Sequence, residues 1–417
     1  MKYNKYKIKE CLKKIIDNRG RNPKYYDKEK YPVIDNYLIK NTLYPNMNNV
    51  NRFIDENTYN NFLRGYTEVD MPIITLVGNG IGNVTLIPDK DIAIVQNTIG
   101  FETNERLDKI YFYYWLLYNQ TTLRNLNRGT SQPSIKKTDI ENMEIYLPEK
   151  NIQIKSAKIL NILDKKIEQN TAANNNLSEI SQSLYKRWFI DFEFPNADGK
   201  SYKSSGGTMI DSELGMIPET WEIGFIDDGK LTKIIKSGVV RFEKDKKYIA
   251  TADVEGTTIK SFTFVDYNSK PSRANMTPIP NSVWFAKMQD SVKNMIVDSY
   301  MSDILDNYIF STGFMGVECL KNSIYYIWNY INSDIFTSLK NNLSTGTLMA
   351  GISNTTIVGC KYVIPSEIIL NLFNNKIQKL NESIYHNEQE NKVLEQLRDT
   401  LLPKLMNGEI DLENIEI

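Results

Sequence analysis

The chain has 417 residues, with 50 Lys or Arg against 51 Asp or Glu and a formal net charge of −1. At 41% hydrophobic residues it can build cores for two domains, and no apolar run approaches the ~20 residues that span a bilayer. A membrane helix is excluded on that ground, and the opening MKYNKYKIKE lacks the apolar core of a signal peptide.

Residues 1–147 alternate short apolar runs with turn residues. YPVIDNYLI, MPIITLVG, NVTLI and IAIVQN read as strands, with GNGIGN (78–83) as a tight turn between two of them. That turn's Gly78, Asn79, Gly80, Gly82 and Asn83 suit a plain turn better than a groove-entering hairpin. KIYFYYWLLYNQ (109–120) is continuous and aromatic, and predicts a buried helix. From Ile152 to Ile190 there is no Pro or Gly and the apolar residues keep helical spacing, which predicts a helix on the order of 58 Å long at ~1.5 Å per residue. Residues 191–217 are rich in Pro, Gly and Ser and read as a linker. A second domain follows over 218–364, with strand candidates VVRF, KYIATADV, SFTFVDY and SVWFAKM. A second long helix is expected over 365–407, stopping near Pro403 or Gly408, before an acidic tail at 408–417.

Two of these stretches are one segment written twice. Sliding residues 125–184 against 342–401 gives fifteen identities over sixty positions without a gap, among them Gly129/Gly346, Thr130/Thr347, Ile135/Ile352 and Pro148/Pro365. A period of 217 is far longer than that of a solenoid repeat and implies a duplicated domain plus helix, hence pseudo-two-fold symmetry. Both helices accept a heptad reading whose apolar stripe is interrupted by two asparagines, Asn170 and Asn174 in the first, Asn387 and Asn391 in the second. An antiparallel coiled coil pairs Asn170 with Asn391 and Asn174 with Asn387, and such a polar layer sets register at a cost in stability. The fold class expected is α+β: two pseudo-symmetric domains with mainly antiparallel sheets, separated by two long helices.

The near-zero net charge hides a pattern. Residues 1–24 carry nine Lys or Arg against Glu10 and Asp17, and residues 229–247 carry seven against Glu243 and Asp245. Each copy therefore opens on a basic stretch, as phosphate-contacting surfaces do. Arg19, Gly20, Arg21, Asn22 and Lys24 form one candidate contact loop, and Lys236 and Arg241 are the counterparts. Arg suits guanine O6/N7 and Asn suits adenine N6/N7. Arg128, Gly129, Thr130, Ser131 and Gln132, with Ser344, Thr345, Gly346 and Thr347 in the repeat, form a second candidate: a small polar turn able to hold a phosphate at a helix start, or simply to cap that helix.

Catalytic motifs fail one by one. Asn22-Pro23-Lys24-Tyr25 shares only Asn-Pro with an amino-methyltransferase loop. Gly199-Lys200-Ser201 lacks the upstream glycine of a P-loop, since Phe194 stands there. Pro88-Asp89-Lys90 is too short to count as a nuclease motif. His386 is the only histidine, at an outward heptad position, which excludes His-dependent catalysis. Cys11, Cys319 and Cys360 have no ligand spacing, so no metal site is expected, and they read as reduced thiols of a cytoplasmic protein.

The helix ends SLYKRWFIDFEFP and QLRDTLLPKLMNGEI, the early IIDNRGRNPKYY, and the pair RGTSQPSI and TGTLMAGI resemble hallmark sequences of the specificity subunit of type I restriction–modification enzymes. The resemblance covers essentially the whole chain. It implies two target-recognition domains, each reading half of a bipartite, asymmetric site in double-stranded DNA, held apart by a helical spacer. It also implies docking of two modification (methyltransferase) subunits on that spacer, with motor-nuclease restriction subunits joining them. AdoMet, ATP and Mg²⁺ would belong to those partners and no cofactor to this chain. The competing expectation is a two-domain coiled-coil scaffold that binds protein partners. Binding through phosphate contacts falls steeply with salt, which separates the two.

Overall fold

The computed structural model describes residues 3–129, 132–346 and 350–415. The chain divides into two compact units, Met1–Ala172 with Asn387–Ile417, and Ala173–His386. The fold is mixed helix and sheet, and nearly all strand pairs are antiparallel.

In the first unit, strands Leu12–Ile16, Thr98–Thr103, Pro72–Thr75 and Val84–Leu86 form one antiparallel sheet in that spatial order. The helix Lys109–Tyr118 packs on it through buried Tyr111, Phe112 and Leu116, which join Phe101, Ile74 and Leu86 in the core. A smaller sheet has Tyr31–Ile34 at its centre, antiparallel to Phe53–Ile54 and parallel to Ala93–Ile94. A third ladder joins Asn4–Lys7 to Glu144–Leu147.

The second unit repeats this plan. Thr232–Ile234, Phe314–Cys319, Ser282–Ala286 and Asn294–Val297 take the same sheet order. Lys246–Ile249 is antiparallel to Thr263–Val265 and parallel to Tyr308–Ser311 in the smaller sheet, to which Ala274–Met276 adds an edge. Glu222–Phe225 pairs with Lys361–Ile364. The duplication thus extends to main-chain pairing in regions where side chains have diverged.

The first long helix runs Lys150–Tyr185 and closes in a wider turn, Lys186–Ile190, whose Asp191 N–H donates to the Lys186 carbonyl at 2.9 Å. The extra residue in that turn swings Trp188 and Phe189 into the core of the second unit, where both meet Phe373 of the second long helix, Glu367–Met406. Pro403 sits in that helix's last turn, where few intrahelical bonds remain to lose.

Several sequence expectations change. VVRF (239–242) is not a strand: Val239 and Phe242 pack across the smaller sheet beside Tyr248 and Ile309. IAIVQN forms only Ala93–Ile94. The segment 191–217 is ordered rather than a bare linker. It carries a short ladder, Met209–Ile210 with Ile217–Pro218, and Phe194 stacks on Trp221 with ring centroids 4.6 Å apart. In the acidic tail, Leu412 is buried and Lys155 Nζ donates to its carbonyl at 2.9 Å.

Candidate nucleic-acid interface

In both units the chain leaves the first strand of the main sheet, crosses in a basic loop, and enters the central strand of the smaller sheet. These loops, 17–30 and 235–245, hold the first set of candidate residues in equivalent places.

The first loop hangs on Asn18, which is fully buried. Its amide nitrogen donates to the Gly65 and Ile94 carbonyls, both at 3.0 Å. Its oxygen accepts from Arg64 N at 2.8 Å and Gly65 N at 3.1 Å. Beyond it the loop turns at Gly20, whose φ of +79° lies in the left-handed region that glycine adopts without strain. The candidates there are less free than the sequence suggested. Arg19 makes a forked pair with Asp17, Nε to Oδ1 at 2.8 Å and a terminal nitrogen to Oδ2 at 2.7 Å. The Arg19 hydrogen bond holds the Asp17 carboxyl below its ordinary range, and Lys137 stands 3.9 Å away. Arg21 lies over the Phe62 ring at 5.0 Å, with its buried Nε unpartnered among the described residues. Asn22 Oδ1 accepts from Gln96 Nε2 at 2.6 Å, and Lys24 Nζ stands 4.8 Å from the Tyr26 ring. Upstream, part of the charge is answered: Lys5 pairs with Glu144 at 2.8 Å and Lys13 with Glu102 at 3.7 Å.

In the second loop Lys236 and Arg241 are exposed and make no ion pair or side-chain hydrogen bond among the described residues. Lys246, at the start of the following strand, lies 5.6 Å from the Phe242 ring.

The second candidate set closes each domain but does not begin a helix. The next helix after Gly129 starts at Lys137, so neither helix capping nor a helix-start anion site describes this turn. Asn127 Oδ1 instead accepts from Gly129 N at 3.0 Å and Ser134 N at 2.8 Å, and a Cβ on Gly129 would overlap the Gln132 carbonyl. Arg128 is committed to Asp139 at 2.6 Å. Gln132 is exposed. The repeat preserves the main-chain bonds: Arg128 N to Ser134 O at 2.9 Å matches Thr345 N to Gly351 O at 3.1 Å, and Ile135 N to Leu76 O matches Ile352 N to Lys287 O, both at 2.9 Å. Ser344 Oγ donates to the Lys340 carbonyl at 2.8 Å, and Gly346 has a φ of +125°. Beneath it the buried Lys340 ammonium donates to the Ala286, Met288 and Ser291 carbonyls, and burial lowers its pKa. Thr130, Ser131 and Thr347 lie outside the described residues.

Of the register asparagines, Asn170 and Asn391 meet within the first unit at 2.9 Å, and Asn170 also donates to Glu390 at 2.7 Å. In the second unit Asn174 donates to the Ile384 carbonyl at 3.4 Å, and Asn387 belongs to the first unit. Arg398 pairs with buried Asp164 at 2.9 Å, and Asp164 also accepts from Tyr114 OH at 2.7 Å. In the first unit the pairs Asn170–Asn391 and Asp164–Arg398 make the helix segments antiparallel, and in the second Asn174–Ile384 and Phe189–Phe373 do the same.

Sequence reasoning missed Asn18, and also Asn57, Asn61 and Phe62, which face Asn22 and Lys24 across a cleft of about 270 Å³. Among the described residues no group of three or more His, Cys, Asp or Glu side chains is placed to hold a metal ion, and no helix is long and apolar enough to cross a membrane.

Comparison with known proteins gives the chain a family likeness. Residues 2–179 match the family model described as the type I restriction modification DNA specificity domain. The chain is 26% identical over 318 residues to the type I restriction enzyme MjaIX specificity subunit of Methanocaldococcus jannaschii, covering 73% of this chain and 70% of that protein. It is 25% identical over 354 residues to the HindI specificity subunit of Haemophilus influenzae, covering 72% and 77%. In fold it is similar to the crystal structure of the type I restriction–modification S subunit from M. genitalium, with a TM-score of 0.58 and 16% identity over 97% of this chain and 96% of that one. Residues 2–179 therefore match a type I DNA specificity domain, and most of the chain is similar to specificity subunits of type I restriction–modification systems.

Proposed function

We propose that the chain is the DNA-reading, non-catalytic subunit of a type I restriction–modification complex. The observation that carries this reading is the duplicated fold with a basic loop in the same place in each copy, 17–30 and 235–245. Two copies of one reader with diverged side chains suit a bipartite site whose halves differ. Residues 1–147 and 218–364 serve as target-recognition domains, and the helical stretches 148–190 and 365–407 as spacer and docking surface. The segments 191–217 and 408–417 connect and finish them.

The partners are double-stranded DNA, two modification subunits and motor-nuclease restriction subunits, in the cytoplasm. AdoMet, ATP and Mg²⁺ serve those partners. Lys236, Arg241, Lys24 and the exposed side of Arg19 position the phosphate backbone, while Arg21 and Asn22 face bases. Gly129, Gln132, Ser344, Thr345 and Gly346, with Thr130, Ser131 and Thr347, are assigned to holding the domain closed or to phosphate contact.

The test is a domain exchange. Residues 1–147 are replaced by the equivalent part of a relative, and the recognised sequence is found by selection from random duplexes. One half of the consensus changes and the other stays. A change in both halves, or binding insensitive to salt, overturns the two-reader model.

A further inference from the structure

In a duplicated fold whose copies read different sequences, positions that hold the fold should keep their residues, while positions that read should keep only their chemistry. The turns around Gly129 and Gly346 keep residues and main-chain bonds alike. The flank of the smaller sheet behaves the other way. In the first unit Arg52 lies 5.0 Å from the Tyr25 ring and Arg21 5.0 Å from that of Phe62. In the second, Lys246 lies 5.6 Å from Phe242 and Lys270 5.8 Å from Tyr267. Cations over aromatic rings flank the smaller sheet in both units, with different residues.

The first unit's flank also contains the cleft of about 270 Å³ lined by Asn22, Lys24, Asn57, Thr58, Asn61 and Phe62. Its hydrogen-bonding groups are only partly used. Gln96 occupies the Asn22 oxygen, and among the described residues nothing takes the Asn22 amide N–H groups, which can donate. Asn61 Nδ2 donates to Asn57 Oδ1 at 2.8 Å, which leaves the Asn61 oxygen as acceptor and the Asn57 N–H groups as donors. Asp55 is turned away, accepting from Thr58 N at 2.7 Å and Tyr26 OH at 3.1 Å, and Lys24 makes no ion pair among the described residues.

We infer that this cleft is a base-reading subsite of the first unit. The Asn22, Asn57 and Asn61 amides take an adenine edge through paired donor and acceptor, Lys24 meets a neighbouring phosphate, and Phe62 holds Arg21 beside them. The inference rests on the DNA-reading function proposed above. Asn57 and Asn61 are exposed, so truncating them leaves the core intact.

The test uses the full chain, purified with the subunits that accompany it, and compares wild type with Asn57→Ala, Asn61→Ala and the double variant by selection from random duplexes. Base preference should be lost at one or two adjacent positions of one half-site. Affinity for the wild-type site should fall about 10-fold or more, with the other half-site and the thermal midpoint unchanged. Variants that select the wild-type consensus at wild-type affinity overturn the inference. A loss uniform over all sequences also overturns it, because it marks phosphate contact. A wild-type protein that selects no consensus overturns the DNA-reading function itself, and the subsite with it.

Discussion

Asn170 donates a 2.9 Å hydrogen bond to Asn391 between the paired helix segments of the first unit, and Lys166 and Asn170 both engage Glu390 at the edge of that layer. These contacts draw the Glu390 carboxyl below its ordinary range, the Asn170 hydrogen bond first and Lys166 second. Asn391→Ala leaves Asn170 its bond to Glu390, so urea unfolding should register a loss of only about 1 kcal/mol. Replacing Asn170 and Asn391 together by Leu should raise the unfolding midpoint, since an amide pair in which Asn170 is buried and Asn391 half-buried specifies register rather than maximal stability. A lowered midpoint in the double variant would contradict this account.

Asn18→Ala removes the four side-chain hydrogen bonds that anchor the start of the first basic loop and leaves the Gly65 N–H and the Ile94 carbonyl without that partner. At ~1–3 kcal/mol for each buried group left unsatisfied, a loss of roughly 3 kcal/mol or more is expected in denaturant unfolding. DNA affinity should fall as well, although Asn18 is fully buried and touches no ligand.

Glu168 gives the first unit a pH dependence. Burial raises its pKa to about 7 from an ordinary 4.5, against the bond it accepts from Tyr44 N. The folded state therefore holds this proton more tightly than the unfolded chain does. The associated stability is complete below about pH 4.5 and is lost as pH rises to about 7. Glu168→Gln should remove that decline and be the more stable protein at pH 8 by about 1 kcal/mol, an allowance for solvent screening of a half-exposed group. Thermal melts of both proteins across pH 5–8 check it.

Lys236→Ala and Arg241→Ala should each lower DNA affinity evenly across sequences. Each should reduce the slope of log K against log salt by about 1, as removing a single cation from the phosphate backbone does. A changed consensus in either variant would move that residue from backbone to base contact.

The duplication was legible because the residues that repeat, such as Gly129/Gly346 and Ile135/Ile352, are those whose close approach or main-chain bonding allows little else. The long helices were legible from their period and their lack of Pro and Gly. Thr98–Thr103 was not, because its first four residues are all buried and no alternation marks them. VVRF misled in the opposite sense: Val239 covers a sheet rather than joining one, and Val240 is exposed. Arg19's partner stands two positions upstream and could have been read. The facing of Asn22 and Asn61 could not, since it arises from the pairing of Tyr26 with Phe53 and of Tyr31 with Ile54.

The first unit draws Leu405, Met406 and Leu412 into a core otherwise built from residues 8–160. The second unit is continuous in sequence, Ala173–His386. During synthesis the second unit therefore has its whole sequence available first, and the domain that emerges from the ribosome earliest is the last to be finished. Until residues beyond 400 arrive, the apolar face of the first long helix near Leu160 remains uncovered, so a nonsense mutation late in the gene would damage the N-terminal domain while sparing the one encoded beside it.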